Sequence, residues 1–216
     1  MRVIAIDGPA GAGKSTVAKH VASATGLPYL DTGAMYRCIA YAAGLEQVDI
    51  NDAEAMGAVA RGSKVQVEGT IACLNGSDVS HLIRSPEINQ MVSVIAAHTP
   101  VRDAMREQQR SWIADHEGGV VEGRDIGTVV FPDAVLKIFL TASAEVRAQR
   151  RVQQVGGDVL EIAASIAQRD HLDSHRIDSP LRPAPDSHTV DSSVHTIDEV
   201  VTEIVNLFRE ASDNNG

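Results

Sequence analysis

The sequence predicts an α/β fold, a doubly wound parallel sheet of about five strands interrupted by one antiparallel insert. Three observations predict it. The chain opens on a short apolar run that turns through glycines into a helix-compatible stretch. Further short apolar runs then alternate with segments of helical character, the pattern of a sheet covered on both faces. One segment alone, Lys64-Val65-Gln66-Val67-Glu68, alternates with period two, which marks locally exposed antiparallel sheet.

Val3–Asp7 reads as the first strand and Lys14–Thr25 as the helix after it, with apolar Val17, Ala18, Val21 and Ala22 at helical spacing and Gly26 as its stop. Leu27-Pro28-Tyr29-Leu30-Asp31 is a short second strand. The period-two segment and the hairpin signal Asn75-Gly76 fall in the insert, roughly residues 34–102. Thr99–His116 is helix-compatible, and Val120-Val121-Glu122 and Val135–Leu140 return to strand. Ala144–Gln154 reads as helix before Gly156-Gly157, a hinge inside a lid of roughly residues 150–165. His188–Asp191 is a weaker strand, and the last helix opens with the capping box Thr196-Ile197-Asp198-Glu199 before Val200, Val201, Ile204, Val205 and Phe208. Residues 1–211 form a single domain on this reading, and Ser212–Gly216 is a disordered tail.

The turn between the first strand and its helix is Gly8-Pro9-Ala10-Gly11-Ala12-Gly13-Lys14-Ser15-Thr16. It matches G-x-x-x-x-G-K-[ST] in the strand–turn–helix context that motif needs. Glycines and alanines let backbone N–H groups wrap a phosphate chain, and the helix start adds free N–H groups and a positive dipole end. Lys14 supplies a flexible point charge, and the Ser15 hydroxyl is a magnesium ligand by chemistry. The fold is therefore a P-loop doubly wound sheet, and the chain is expected to bind a nucleoside triphosphate.

Composition narrows the partners. The 216 residues carry a formal net charge of −10, against a nucleic-acid surface, which needs a concentrated basic face. Cys38 and Cys73 give neither a disulfide framework nor a paired metal-ligand spacing. Asp7 interrupts the N-terminal apolar run, so no membrane span or signal sequence is expected and a cytoplasmic location is. No long apolar helix face demands a partner, so a monomer is expected.

Arginines form a second constellation. Arg147, Arg150 and Arg151 share one helix face just before Gly156-Gly157. Arg169, Asp173 and Arg176 share another at i, i+4 and i+7, while Arg37 and the pair Arg124-Asp125 follow strand ends, where such sheets bind ligands. Phosphoryl transfer needs cations along both phosphate groups, and a glycine-flanked arginine segment can close and exclude water. Glu122 and Asp125 read as structural ion-pair partners of these arginines, a reading that does not exclude a substrate-binding role. His171 and His175, at i,i+4, read as solvated rather than as a zinc site, because no further Cys or His completes one.

Three further blocks sharpen this: Leu30-Asp31-Thr32-Gly33-Ala34-Met35-Tyr36-Arg37, Glu122-Gly123-Arg124-Asp125-Ile126-Gly127-Thr128-Val129-Val130-Phe131-Pro132 and Gln168-Arg169-Asp170. With the glycine loop they make the chain resemble, from Val3 to about Phe208, the bacterial cytidylate kinases of the P-loop nucleoside-monophosphate kinase group. The resemblance implies transfer of the ATP γ-phosphate to CMP or dCMP with Mg2+, the antiparallel insert being the monophosphate-binding flap. It implies ATP on Gly8–Thr16, Arg147 and Arg151, magnesium on Ser15, and catalysis by Lys14, Arg124 and Arg151. Arg37 and Arg124 would hold the acceptor phosphate, Thr32, Arg102, Asp125 and Arg176 the cytosine, and Ser93, Arg169 and Asp173 the sugar. Thr32 stands where some relatives have Ser, and Glu122 where some have Asp. A P-loop kinase of another small metabolite stays open, and so, more distantly, does a GTP-binding switch, although no N-K-x-D guanine motif follows the third strand.

Overall fold

The structure, a computed structural model, describes residues 2–213. It divides into two compact units: the first is made of the stretches of chain on either side of Leu30–His116, and the second is Leu30–His116 itself.

The first unit is built on a five-stranded sheet in the order β2-β6-β1-β7-β8, whose edge strand β2 enters at Tyr29, its last two residues counting with the second unit. These strands are β1 (Arg2–Asp7), β2 (Tyr29–Asp31), β6 (Gly118–Gly123), β7 (Leu136–Thr141) and β8 (His188–Asp191). β1 pairs parallel with β6 and β7, and β7 pairs parallel with β8. Helices α1 (Lys14–Thr25), α6 (Ala144–Val155), α7 (Val159–His175) and α8 (Ile197–Asp213) complete the unit. Ile4, Ile6, Val17, Val21, Val120, Ile138, Leu140, Ile204 and Phe208 share one buried cluster. The parallel sheet and its continuous apolar strands are as the sequence predicts.

Helix ends follow local chemistry. α8 starts in the capping box, where the Thr196 N–H donates to Glu199 Oε2 at 2.8 Å and the Glu199 N–H to Thr196 Oγ1 at 3.3 Å. Asp158 caps α7 through the N–H groups of Leu160 and Glu161. α1 differs: Gly13 precedes it with φ 90° and no side chain caps its first turn. Its leading N–H groups stay available to an anion.

The second unit holds α2 (Thr32–Glu46), α3 (Ala53–Gly62), α4 (Pro86–Ile95) and α5 (Thr99–His116) with a three-stranded antiparallel sheet. Its strands are β3 (Val65–Glu68), β4 (Ile71–Leu74) and β5 (Ser77–Asp78). Asn75 and Gly76, at φ 51° and 83°, make the two-residue turn between β4 and β5.

Several boundaries differ from the sequence reading. The second strand begins at Tyr29 rather than Leu27, after the Pro28 carbonyl accepts from the Val120 N–H at 2.8 Å. α7 ends at His175, so Arg176 lies just past the helix that the i+7 spacing assigned to it. Ser212 and Asp213, read as tail, continue α8, and the rest of that expected tail, 214–216, lies outside the described residues. No described helix is long and apolar enough to cross a membrane.

Phe208 is 3 % exposed and its ring lies under the Arg2 guanidinium, 5.1 Å from the centroid. Phe208→Ala should cost about 3–5 kcal/mol in urea unfolding by loss of apolar burial and cavity formation. A loss below about 1 kcal/mol would contradict its place in the core.

Candidate active site

The glycine loop begins where β1 ends. Gly8 packs so closely on β7 that a Cβ there would lie 2.0 Å from the Leu140 carbonyl oxygen. Gly11 and Gly13 take φ 77° and 90°, the left-handed region that side chains disfavour. Pro9 has no N–H to offer an anion. Its carbonyl instead accepts from Lys14 Nζ at 2.7 Å, folding the ammonium back over the loop.

Lys14 is buried, and burial pushes its pKa down to about 7, helped by the Arg124 and Arg169 guanidiniums and opposed by Glu122 and Asp7. Next to it, the exposed Ser15 hydroxyl donates to Glu122 Oε2 at 3.0 Å. The Tyr29 hydroxyl donates to the other Glu122 oxygen. Glu122 is 5 % exposed at the end of β6, so a carboxylate is fixed beside the loop hydroxyl. Asp7 accepts the N–H groups of Ile126 and Gly127 at 2.9 and 2.8 Å, tying the segment after β6 to the end of β1. Burial raises the Asp7 pKa to about 7 against those two N–H groups.

Arg124 Nε donates to Asp173 Oδ2 at 2.8 Å, and Arg176 Nη1 lies 3.7 Å from Asp173 Oδ1. Burial acts to raise the Asp173 pKa, but Arg124, Arg176 and Arg169 outweigh it and hold the carboxyl below its usual range. Arg124, Arg169, Asp173 and Arg176 thus gather in one charged cluster beside Lys14. Asp125 is buried next to Arg124, within electrostatic reach of Asp7.

The α6 arginines separate. Arg147 and Arg150 turn onto the glycine loop, whereas Arg151 donates to Gln154 Oε1 at 3.3 Å on an exposed stretch. Arg150 donates to the Ser192 hydroxyl and carbonyl at 2.9 and 2.6 Å. Its place at the loop, and those of Asp7, Asp170 and Ser192, escape the sequence reading. The signal for Arg150 was its i+3 spacing from Arg147. For the others the links span scores of residues, and no spacing carries them.

In the second unit, Asp31 caps α2 through the Ala34 N–H at 2.8 Å and pairs with Arg37 at 3.1 Å. Thr32 is buried in the first turn of the same helix. Arg102, 1 % exposed on α5, donates to the Ala96 carbonyl at 3.0 Å and lies 5.7 Å from the Tyr36 ring centroid. Ser93 is half-buried on α4.

A polyphosphate bound at Lys14 would offset the loss of hydration that burial causes, and so would raise its pKa. Binding of a magnesium nucleoside triphosphate at about pH 8 should therefore take up a proton, and uptake at Lys14 should fade by about pH 6, where the free side chain is already charged. Calorimetry in two buffers of different ionisation enthalpy reads this, with Lys14→Met as the control that loses it. Equal proton balance in both proteins at the higher pH would contradict the assignment.

Comparison with known proteins supplies the family. The cytidylate kinase family model matches residues 4–210. A cytidylate kinase of Shouchella clausii (strain KSM-K16) is 46% identical over 97% of this chain and 96% of its own length. A bifunctional pantoate ligase/cytidylate kinase of Synechococcus sp. (strain JA-2-3B'a(2-13)) is also 46% identical over 99% of this chain, which spans only 42% of that larger protein. A gluconokinase structure from Sinorhizobium meliloti 1021, 16% identical with a TM-score of 0.54, covers 99% of this chain and 94% of its own and shows a shared fold alone. A match across nearly the whole chain and identity near one half leave one conclusion: this chain belongs to the cytidylate kinase family.

Proposed function

We propose that this chain transfers the γ-phosphate of ATP to CMP or dCMP, giving ADP with CDP or dCDP. The observation that carries the reading is the buried Lys14 ammonium beside an uncapped helix start, among Arg124 and Arg169, in a family of cytidylate kinases. Cations gathered in this way are stabilised when an anion of several charges sits among them.

ATP phosphates lie in the loop Gly8–Gly13, on the N–H groups of Gly11 and Gly13 and on those of Lys14, Ser15 and Thr16 at the start of α1. The acceptor phosphate oxygen is already a nucleophile, so no strong general base is required. What the transfer needs is alignment and charge balance. Lys14 and Arg151 stabilise the migrating phosphoryl group, Arg147 acts on the donor side, and Arg124, oriented by Asp173, stabilises the transfer and holds the acceptor phosphate together with Arg37. Thr32, Arg102, Asp125 and Arg176 recognise cytosine, and Ser93, Arg169 and Asp173 the sugar. The lid spans the end of α6, the Gly156-Gly157 turn at φ 72° and 97°, and the first turns of α7.

Magnesium fits the donor set. Ser15 Oγ and Glu122 Oε2, 3.0 Å apart, are hard oxygen ligands. Magnesium at a nucleotide takes only one or two protein oxygens beside phosphate and water. Ser15 and Glu122 would hold it, and when bound it supplies charge neutralisation at the phosphate oxygens.

A coupled assay with ATP and each nucleoside monophosphate tests the reading, with CMP and dCMP expected to lead. Lys14→Ala should lower kcat by about a hundredfold or more with the fold intact. Asp173→Ala should lower kcat/KM for the acceptor by roughly tenfold to a hundredfold and spare ATP binding. Asp125→Ala should erode the preference for CMP over UMP, because only cytosine offers an exocyclic amine to a carboxylate. Another leading acceptor, or near-normal turnover by Lys14→Ala, would contradict the proposal.

A further inference from the structure

Ala10 lies in the middle of the glycine loop, and both of its backbone polar groups are held by side chains of α6 and α7, the helices on either side of the Gly156-Gly157 turn. Its N–H donates to Asp170 Oδ1, from α7, at 3.0 Å. Its carbonyl accepts from Arg147 Nη1, from α6, at 3.0 Å. The same Arg147 nitrogen pairs with Asp170 Oδ2, which closes a ring through the loop backbone. Arg147 Nε is fixed in turn on the Ala142 carbonyl at 3.1 Å. One helical turn on, the Ser192 hydroxyl lies 3.1 Å from the Ala12 carbonyl and accepts from Arg150 Nη1 at 2.9 Å.

These contacts have a directional consequence. In a trans peptide the carbonyl and the next N–H point in opposite directions, and the described peptides include no cis bond. Turning the Ala10 and Ala12 carbonyls toward the α6 arginines therefore aims the Gly11 and Gly13 N–H groups the other way. Donors so fixed meet an anion without reorganisation. The ion pair is also well shielded, with side-chain exposures of 13% and 18%. An exposed helix–helix pair would contribute little.

We propose that Asp170 is a positioning residue for the donor site: with Arg147 it clamps Ala10, so that the placement of α6 and α7 sets the geometry of the phosphate loop. Asp170 then acts on ATP without touching it, through the order of the loop. The inference rests on the donor-site reading above but is independent of which acceptor the enzyme uses.

Titration calorimetry on the full chain, with Mg·ATP and separately with CMP, tests it. Asp170→Asn keeps the shape and an acceptor for the Ala10 N–H but removes the charge facing Arg147. ATP affinity should fall about tenfold while CMP affinity stays within about twofold. Arg147→Lys, which keeps the charge and loses the fork, should do the same. The double variant should be little worse than either single one, because both break one clamp. Unchanged ATP affinity in Asp170→Asn, equal losses for ATP and CMP, or losses that multiply in the double variant would each overturn the proposal. ATP is read here without turnover, so a wrong acceptor assignment leaves these outcomes intact. A wild-type chain that binds no ATP would overturn the clamp and the donor-site reading together.

Discussion

The contact on which the active unit depends is the backbone approach of Gly8 to Leu140, with no room for a Cβ. It follows from β1 and β7 being neighbours in the parallel sheet, Asp7 standing opposite Phe139 in the register. The chain leaving β1 must pass over the end of β7, and glycine is what lets it pass. From that crossing come the tight loop, the left-handed turns at Gly11 and Gly13, and a helix that starts on a glycine with no side-chain cap. A capping Ser or Asp at position 13 would occupy one of the N–H groups that no side chain caps at the start of α1.

Electrostatics then works against the local fold and for the ligand. A chain with a net charge of −10 buries Lys14 near Arg124 and Arg169. The carboxylates nearby do not cancel the strain: Glu122 is bound to Ser15 and Tyr29, Asp7 to two backbone N–H groups, and Asp173 to Arg124 and Arg176. Each is placed to orient a neighbour. Stability given up at such a site is returned when a polyanion fills it.

Much of this was legible in the chain. The strand–glycine loop–helix order, the Asn75-Gly76 turn, the capping box at Thr196 and Glu199, and the helix Thr99–His116 all rest on local signals, and the structure has them. α2 was not legible, because nine of its fifteen residues are buried and an all-round apolar helix shows no amphipathic period. Its start looked like the end of a strand. The Glu122–Pro132 block named Arg124, helical spacing from Arg169 named Asp173 and Arg176, and the structure gathers them, though Arg176 reaches Asp173 from just beyond its helix. What no spacing could give is direction. Arg147, Arg150 and Arg151 look equivalent on a helical wheel, yet two serve the loop backbone and the third donates to Gln154 on its own helix.

The central claim is that the backbone N–H groups of the loop and of the first turn of α1 hold the donor phosphates. Amide hydrogen exchange, resolved residue by residue with and without Mg·ATP, tests it most directly. Strong new protection is expected at Gly11, Gly13, Lys14, Ser15 and Thr16 with Mg·ATP, and none there with CMP alone. Protection by CMP alone at those amides, or their unchanged exchange with ATP bound, would contradict it.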